Sequence, residues 1–282
     1  MGTVILQVRL PRLLMVSLVG ASLSISGASF QGILKNPLVS SDILGVAAGA
    51  GFGASLGILL MLDPLSIQIL ALAFAMLAVS LAYGINSIYK RSSTLILVLC
   101  GIIVSSFFSS LVSLMKYVSD PNTTLAAIVF WLLGSFASVT SASVIQYAIP
   151  MIIGIVVLLL LRWRINVLSL EDKEAKALGV NVKRDQGIII FFASLITASA
   201  VCVCGLISWV GLIVPHIARM IVGPNNSKVL PASVLIGISY LIIIDDLART
   251  LAPNEISIGI LTGTIGAPFF GYLLLRKRVG WS

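Results

Sequence analysis

This sequence carries very little charge. Of its 282 residues only 10% are Asp, Glu, Lys or Arg, where a soluble domain has roughly a quarter. That is too little to solvate a globular surface of this size. A soluble enzyme, a disordered regulator and a nucleic-acid binder are therefore excluded, although the net charge is +8. Cysteine is scarce as well. Cys100, Cys202 and Cys204 lie inside apolar runs, with no C-x-x-C and no neighbouring histidine. They read as small packing residues rather than a disulfide frame or a metal site. No G-x-x-x-x-G-K-[ST] loop occurs, so ATP hydrolysis by that device is excluded. Nor is there an H-E-x-x-H, a Ser–His pairing or a paired-acid motif to support an intramembrane enzyme.

What is present is apolar length. Hydrophobic residues make up 59% of the chain, and crossing a bilayer takes about 20 of them in a helix. Charge-free runs cover 13–34, 43–62, 64–89, 92–115, 121–161, 187–218, 229–244 and 256–275. The 121–161 run is too long for one span. Gly134 and the polar stretch 138–143 split it into a short helix and a span from about 141. The 187–218 run is broken by Gly205, Gly211 and Pro215 into a full span and a shorter one reaching about 222. The run from 229 continues through Asp245, Asp246 and Arg249. This predicts an all-α polytopic membrane protein, a single domain over 1–282 with nine spans and one short surface helix. A transmembrane barrel is excluded, because its strands would alternate apolar and polar residues. Arg9 and Arg12 follow Met1 too closely for a cleavable signal peptide.

Basic residues set the orientation, since Lys and Arg collect on the cytoplasmic side. With the C-terminus inside, Lys35, Lys90, Arg91, Arg162, Arg164, Lys173, Lys176, Lys183, Arg184, Arg219, Lys228, Arg276, Lys277 and Arg278 are cytoplasmic. Only Arg9, Arg12, Lys116 and Arg249 fall outside. The opposite orientation would reverse this bias.

Five features stand out from the apolar background. Gly45, Gly49, Gly53 and Gly57 recur every fourth residue and predict close helix packing on one face. Gly27, Pro37 and Gly45 are matched at a constant offset by Gly205, Pro215 and Gly223, a weak inverted repeat of the kind transporters carry. The only long polar insertion, 166–184, contains a small helix. Ser169 is expected to cap it with Asp172 as the capping-box acid, and Gly179 to end it. An ordered, capped helix is more than a connector requires, so this loop is expected to dock a cytoplasmic partner. Asp245, Asp246 and Arg249 share one helix face and are spaced for ion pairing. His216, beside Pro215, is expected to bond backbone carbonyls of a broken helix.

The motifs taken together resemble a known family. Arg9-Leu10-Pro11-Arg12 precedes Gly20-Ala21, Ser26-Gly27-Ala28, Gln31-Gly32, Asn36-Pro37-Leu38 and Leu44-Gly45-Val46. Later come Leu178-Gly179-Val180, the block Gly211-Leu212-Ile213-Val214-Pro215-His216-Ile217-Ala218-Arg219, and Gly266-Ala267-Pro268. This pattern is similar to the FecCD-type permeases, the BtuC-like subunits of ABC importers for iron chelates, haem and cobalamin. The resemblance covers essentially the whole chain.

The resemblance implies a BtuC-like helical bundle, with ten spans in the family. It also implies a homodimer, or a pair with a paralogous permease, with the path along its two-fold axis. Two cytoplasmic ATPase subunits carry ATP and Mg, a substrate-binding protein docks outside, and the chain itself holds no cofactor. The location implied is a prokaryotic cytoplasmic membrane. Residue by residue, Arg9, Arg12 and Arg249 match the outward arginines that meet the binding protein. Asn36, Leu38, Ser93 and Thr94 match the cytoplasmic gate. Glu171, Glu174, Ala175, Leu178 and Gly179 match the helix that couples to the ATPase. Family members usually have one further span before the Arg-Leu-Pro-Arg block, and only eight residues precede Arg9 here, so a truncated start is expected. The expected cargo is an iron–siderophore-type chelate, with haem, cobalamin or molybdate as alternatives. The rival function is an ion-coupled secondary transporter, for which Asp245 and Asp246 are the only intramembrane acids available.

Overall fold

The computed structural model describes residues 5–88, 94–252 and 254–275, and every regular element among them is helical. A π-helical turn, Ile5–Arg9, leads into α1, Leu10–Ile33. Then follow α2, Val46–Leu59; α3, Pro64–Ile88; α4, Thr94–Val118; α5, Thr124–Leu133; and α6, Ser141–Leu160. Two small helices, α7, Arg162–Leu168, and α8, Asp172–Ala177, precede α9, Val182–Cys204. The chain continues with α10, Val210–Val222; α11, Asn226–Thr250; and α12, Ile258–Leu275.

Six helices are long and apolar enough to cross a membrane: Ile5–Ile33, α3, α4, α6, α9 and α11. Four apolar helices are shorter. The charge-free run 43–62 suggests a full span, yet only 14 of its residues are helical. At 1.5 Å per residue that helix covers about 21 Å, less than the ~30 Å hydrocarbon core. The 34–45 segment that precedes it packs against the bundle, where Val39 and Leu44 are buried.

The centre of the bundle is α1. Eighteen of its 24 residues are buried, including Ser22, Ser24, Ser26, Ser29 and Gln31. Ser24 and Ser29 donate back to carbonyls of α1 itself, whereas Ser26 and Gln31 reach other elements. Ser26 Oγ donates to the Ala193 carbonyl at 2.9 Å and accepts from Thr197 Oγ1 at 2.8 Å, tying α1 to α9. Small residues let the backbones meet. A Cβ on Gly20 would lie 2.4 Å from the Gly237 carbonyl oxygen of α11. A Cβ on Gly27 would lie 1.8 Å from the Gly211 oxygen of α10.

The glycine stripe is a packing face. Gly49, Gly53 and Gly57 press on Phe74, Leu70 and Ile67 of α3, while Gly45 turns towards Ser105 of α4. The repeat at constant offset does not hold as local structure. Gly27 is inside a helix, whereas Gly205 ends one with φ +73°. The repetition lies in element lengths instead: 24, 14 and 25 residues in α1–α3 are echoed by 23, 13 and 25 in α9–α11. The two triplets run in opposite directions. Asn226, at the start of α11, lies beside Gly32 near the end of α1, and Arg12 meets Asp245 at the other extreme.

Where short helices stop inside the bundle, their ends are joined by glycine. Ser135 N–H donates to the Cys204 carbonyl at 2.8 Å, and Ile258 N–H donates to the Gly134 carbonyl at 3.0 Å. A Cβ on Gly205 would stand 2.2 Å from the Trp131 oxygen, and one on Gly259 would stand 2.5 Å from the Leu133 oxygen. The ends of α5 and α9 and the start of α12 thus satisfy one another's backbone, the condition for irregular chain within a membrane. His216 does not bond a carbonyl as expected. Its ring packs against Phe270 at 6.3 Å, since Pro215 is absorbed inside a continuous α10. Cys100, Cys202 and Cys204 are buried free thiols.

Candidate coupling and docking sites

The charged residues collect at the two ends of the bundle. At one end stand α8, the 34–45 segment and the N-terminus of α9. The expected Ser169 cap of α8 is not formed, because Ser169 Oγ turns back to the Asn166 carbonyl. Glu171 takes the cap position, and Glu174 completes a reciprocal capping box with it. The other terminus is a Schellman turn. Gly179, at φ +79°, lets its N–H reach the Lys176 carbonyl and lets Val180 N–H reach the Ala175 carbonyl. With both ends satisfied, six residues hold a helix that would not persist alone.

This helix is anchored on one side and bare on the other. Ala175 and Val180 are buried in the core, so Ala175 fixes the helix and does not offer a contact. Glu171, Glu174 and Gly179 are exposed, and Leu178 is 54% exposed. Lys35 holds the helix laterally through Asp172 at 3.0 Å. Arg164 meets the buried Asp185 at 2.8 Å, fixing α7 against α9.

Beside α8 is a cleft of about 540 Å³ lined by Leu34, Asn86, Thr94, Leu97, Lys176 and Lys183, among others. Thr94 is therefore at the cleft wall. Asn36 and Leu38 lie outside that lining. Asn36 Oδ1 accepts from Leu38 N–H at 2.9 Å, an Asx turn that presents Leu38, 50% exposed. Ser93 falls outside the described residues.

Gln31, quoted in the family pattern as Gln31-Gly32 but given no role there, organises this end. Fully buried on α1, it donates to the carbonyls of Val39 at 3.0 Å and Gly211 at 3.4 Å. Its Oε1 accepts from Arg219 Nη1. One amide thus links α1, the 34–45 segment and α10. The sequence signals it by a glutamine in the last turns of an apolar run, within the Gln31-Gly32 pair.

At the opposite end is an arginine–carboxylate cluster. Arg12 forks onto two acids. Its Nε and Nη2 reach Asp245 at 2.8–3.2 Å, and its Nη1 and Nη2 reach Glu255 at 2.8 and 3.0 Å. Arg249 pairs with Asp246 and stands 3.5 Å from Asp245. The expected pairing on the α11 face is present, widened by Arg12 and Glu255 from far along the chain. Arg9 is exposed and has no acid within reach among the described residues. Arg9, Arg12, Asp245, Asp246 and Arg249 surround a cavity of about 170 Å³. The three arginines are together, but Arg12 is committed inward while Arg9 and Arg249 face out. Among the described residues no group of three His, Cys, Asp or Glu could hold a metal.

Comparison with known proteins agrees along the whole chain. Residues 2–276 match the model of the FecCD transport family. The molybdate import permease MolB of Haemophilus influenzae is 42% identical, over 98% of this chain and 82% of MolB. The Fe(3+) dicitrate permease FecD of Escherichia coli is 38% identical, over 98% of this chain and 86% of FecD. A solved inward-facing structure described as a metal-chelate type ABC transporter superimposes with a TM-score of 0.93 at 42% identity. The match covers 98% of this chain and 88% of that one.

Proposed function

Because this chain belongs to the FecCD transport family as the permease subunit of an ABC importer, a transport component and not an enzyme, we propose that it carries a metal chelate into the cytoplasm by ATP-driven alternating access. The observation that carries this reading is the capped helix α8. It projects an exposed Leu178 beyond the bundle, is anchored by Ala175 and stands beside a cleft. A helix rigid at both ends and bare on one face transmits a push from a separate motor. The end bearing α8 is the cytoplasmic one, because Lys35, Arg162, Lys173, Lys183 and Arg184 collect there.

Two ATPase subunits seat Glu171, Glu174, Leu178 and Gly179. Asn36, Leu38 and Thr94 form part of the inner gate, completed by a second permease copy. The binding protein lands on Arg9 and Arg249. The likeness to the metal-chelate transporter supports the chelate cargo. Molybdate is the second reading, favoured by the 42% identity to MolB. Reconstitution with the ATPase and binding protein of the same transporter tests all of this. Uptake of a radiolabelled iron–siderophore that stops without ATP is the expected result. Uptake of molybdate alone would replace the chelate, and uptake abolished by an ionophore but not by ATP depletion would refute the importer reading.

A further inference from the structure

The two acids on Arg12 are not equivalent. The Asp245 side chain is 7% exposed and lies on α11. The Glu255 side chain is 39% exposed and lies on the short connection between α11 and α12. Both make fork-type bonds, the geometry in which a guanidinium binds any carboxylate. A buried partner is costly to remove, whereas an exposed one contributes little net and exchanges readily with others. Arg9 and Arg249, exposed at the rim of the adjoining cavity, would steer a further carboxylate to the same place.

We propose that Glu255 is an internal stand-in for a carboxylate of the docking partner. It occupies the outer half of the Arg12 fork until an acidic lobe displaces it. The inference rests on the importer reading and adds a competitor that the reading does not contain. Displacement has a route inward. Glu255 is followed by Ile256, whose N–H donates to the Ala248 carbonyl at 3.0 Å. Two residues further, Ile258 N–H donates to the Gly134 carbonyl at the end of α5. Among the described residues, these two backbone bonds tie the Glu255 end of the connection to α11 and to α5. A surface event is thereby linked to the glycine junction inside the bundle.

The sign of one measurement decides the matter. The permease is assembled with its ATPase in nanodiscs, and the affinity of its purified binding protein is measured at low and high salt. Glu255→Gln keeps the shape but yields the competition, so docking is expected to tighten roughly ten-fold at low salt. It should also weaken more steeply than wild type as salt rises, because an extra cationic face is exposed. Glu255→Asp, with a shorter reach, is expected to fall between the two and serves if the glutamine variant does not fold. A merely structural Glu255 predicts unchanged or weaker docking in both variants, and that result overturns the exchange. Absence of docking to the wild-type assembly would instead overturn the importer reading, and the exchange with it.

Discussion

Gly27 offers the sharpest test of how the bundle is held together. A Cβ there would sit 1.8 Å from the carbonyl oxygen of Gly211 and 2.6 Å from its Cα. A carbon–oxygen contact of the closest ordinary kind needs about 3.3 Å, so Gly27→Ala must drive α1 and α10 apart by roughly 1.5 Å. No flexible side chain can yield, since both partners are backbone. Overpacking of this kind costs typically 1–3 kcal/mol, and the upper end is expected here. The displacement also strains Gln31, whose amide spans the same two helices. Gly84→Ala is the matched control, because a Cβ there meets nothing within 4 Å. In a helix interior it should be neutral or stabilise by up to about 1 kcal/mol. Thermal unfolding of both variants in nanodiscs, followed by tryptophan fluorescence, reads the difference. If Gly27→Ala melts with Gly84→Ala and wild type, the close approach of α1 and α10 is wrong.

Arg12→Ala should destabilise the protein by about 3 kcal/mol, because it leaves the buried Asp245 with only the longer 3.5 Å contact to Arg249. Arg9→Glu should leave the melting temperature unchanged and weaken binding-protein docking in a salt-dependent way; a larger stability loss in Arg9→Glu than in Arg12→Ala would reverse the roles assigned to them. Gly179→Ala meets no atom, so its cost is the left-handed backbone alone, about 1–2 kcal/mol. Its expected phenotype is ATP hydrolysis with reduced uptake, and fully coupled uptake would make α8 a passive connector.

The helices were legible because a bilayer rewards uninterrupted apolar runs, which charges then delimit. Helix ends inside the bundle were not. Ile43, Leu44 and Gly45 continue into the helix without a charge or a side-chain cap, so nothing in the run 43–62 marks Val46 as the start. The cap of α8 moved from Ser169 to Glu171 because two glutamate-based bonds close the box and the serine finds a nearer carbonyl. The α11 pairs could be read from i, i+3 and i, i+4 spacing. The Arg12 fork could not, since its partners are 233 and 243 residues away and only tertiary packing joins them. Ala175 illustrates the same gap. Its place in the motif suggested a contact, while its burial makes it the anchor that orients Leu178.

The near-complete enclosure of α1 has a bearing on biogenesis. A helix with buried Ser24, Ser26, Ser29 and Gln31 is poorly suited to lipid by itself. Yet the helices packed against α1 at these groups, α9, α10 and α11, are translated some 180 residues later. At ribosomal speeds of about 5–20 residues per second, α1 waits roughly ten to forty seconds for its partners. During that interval it depends on the insertion machinery or on transient neighbours to shield its hydroxyls.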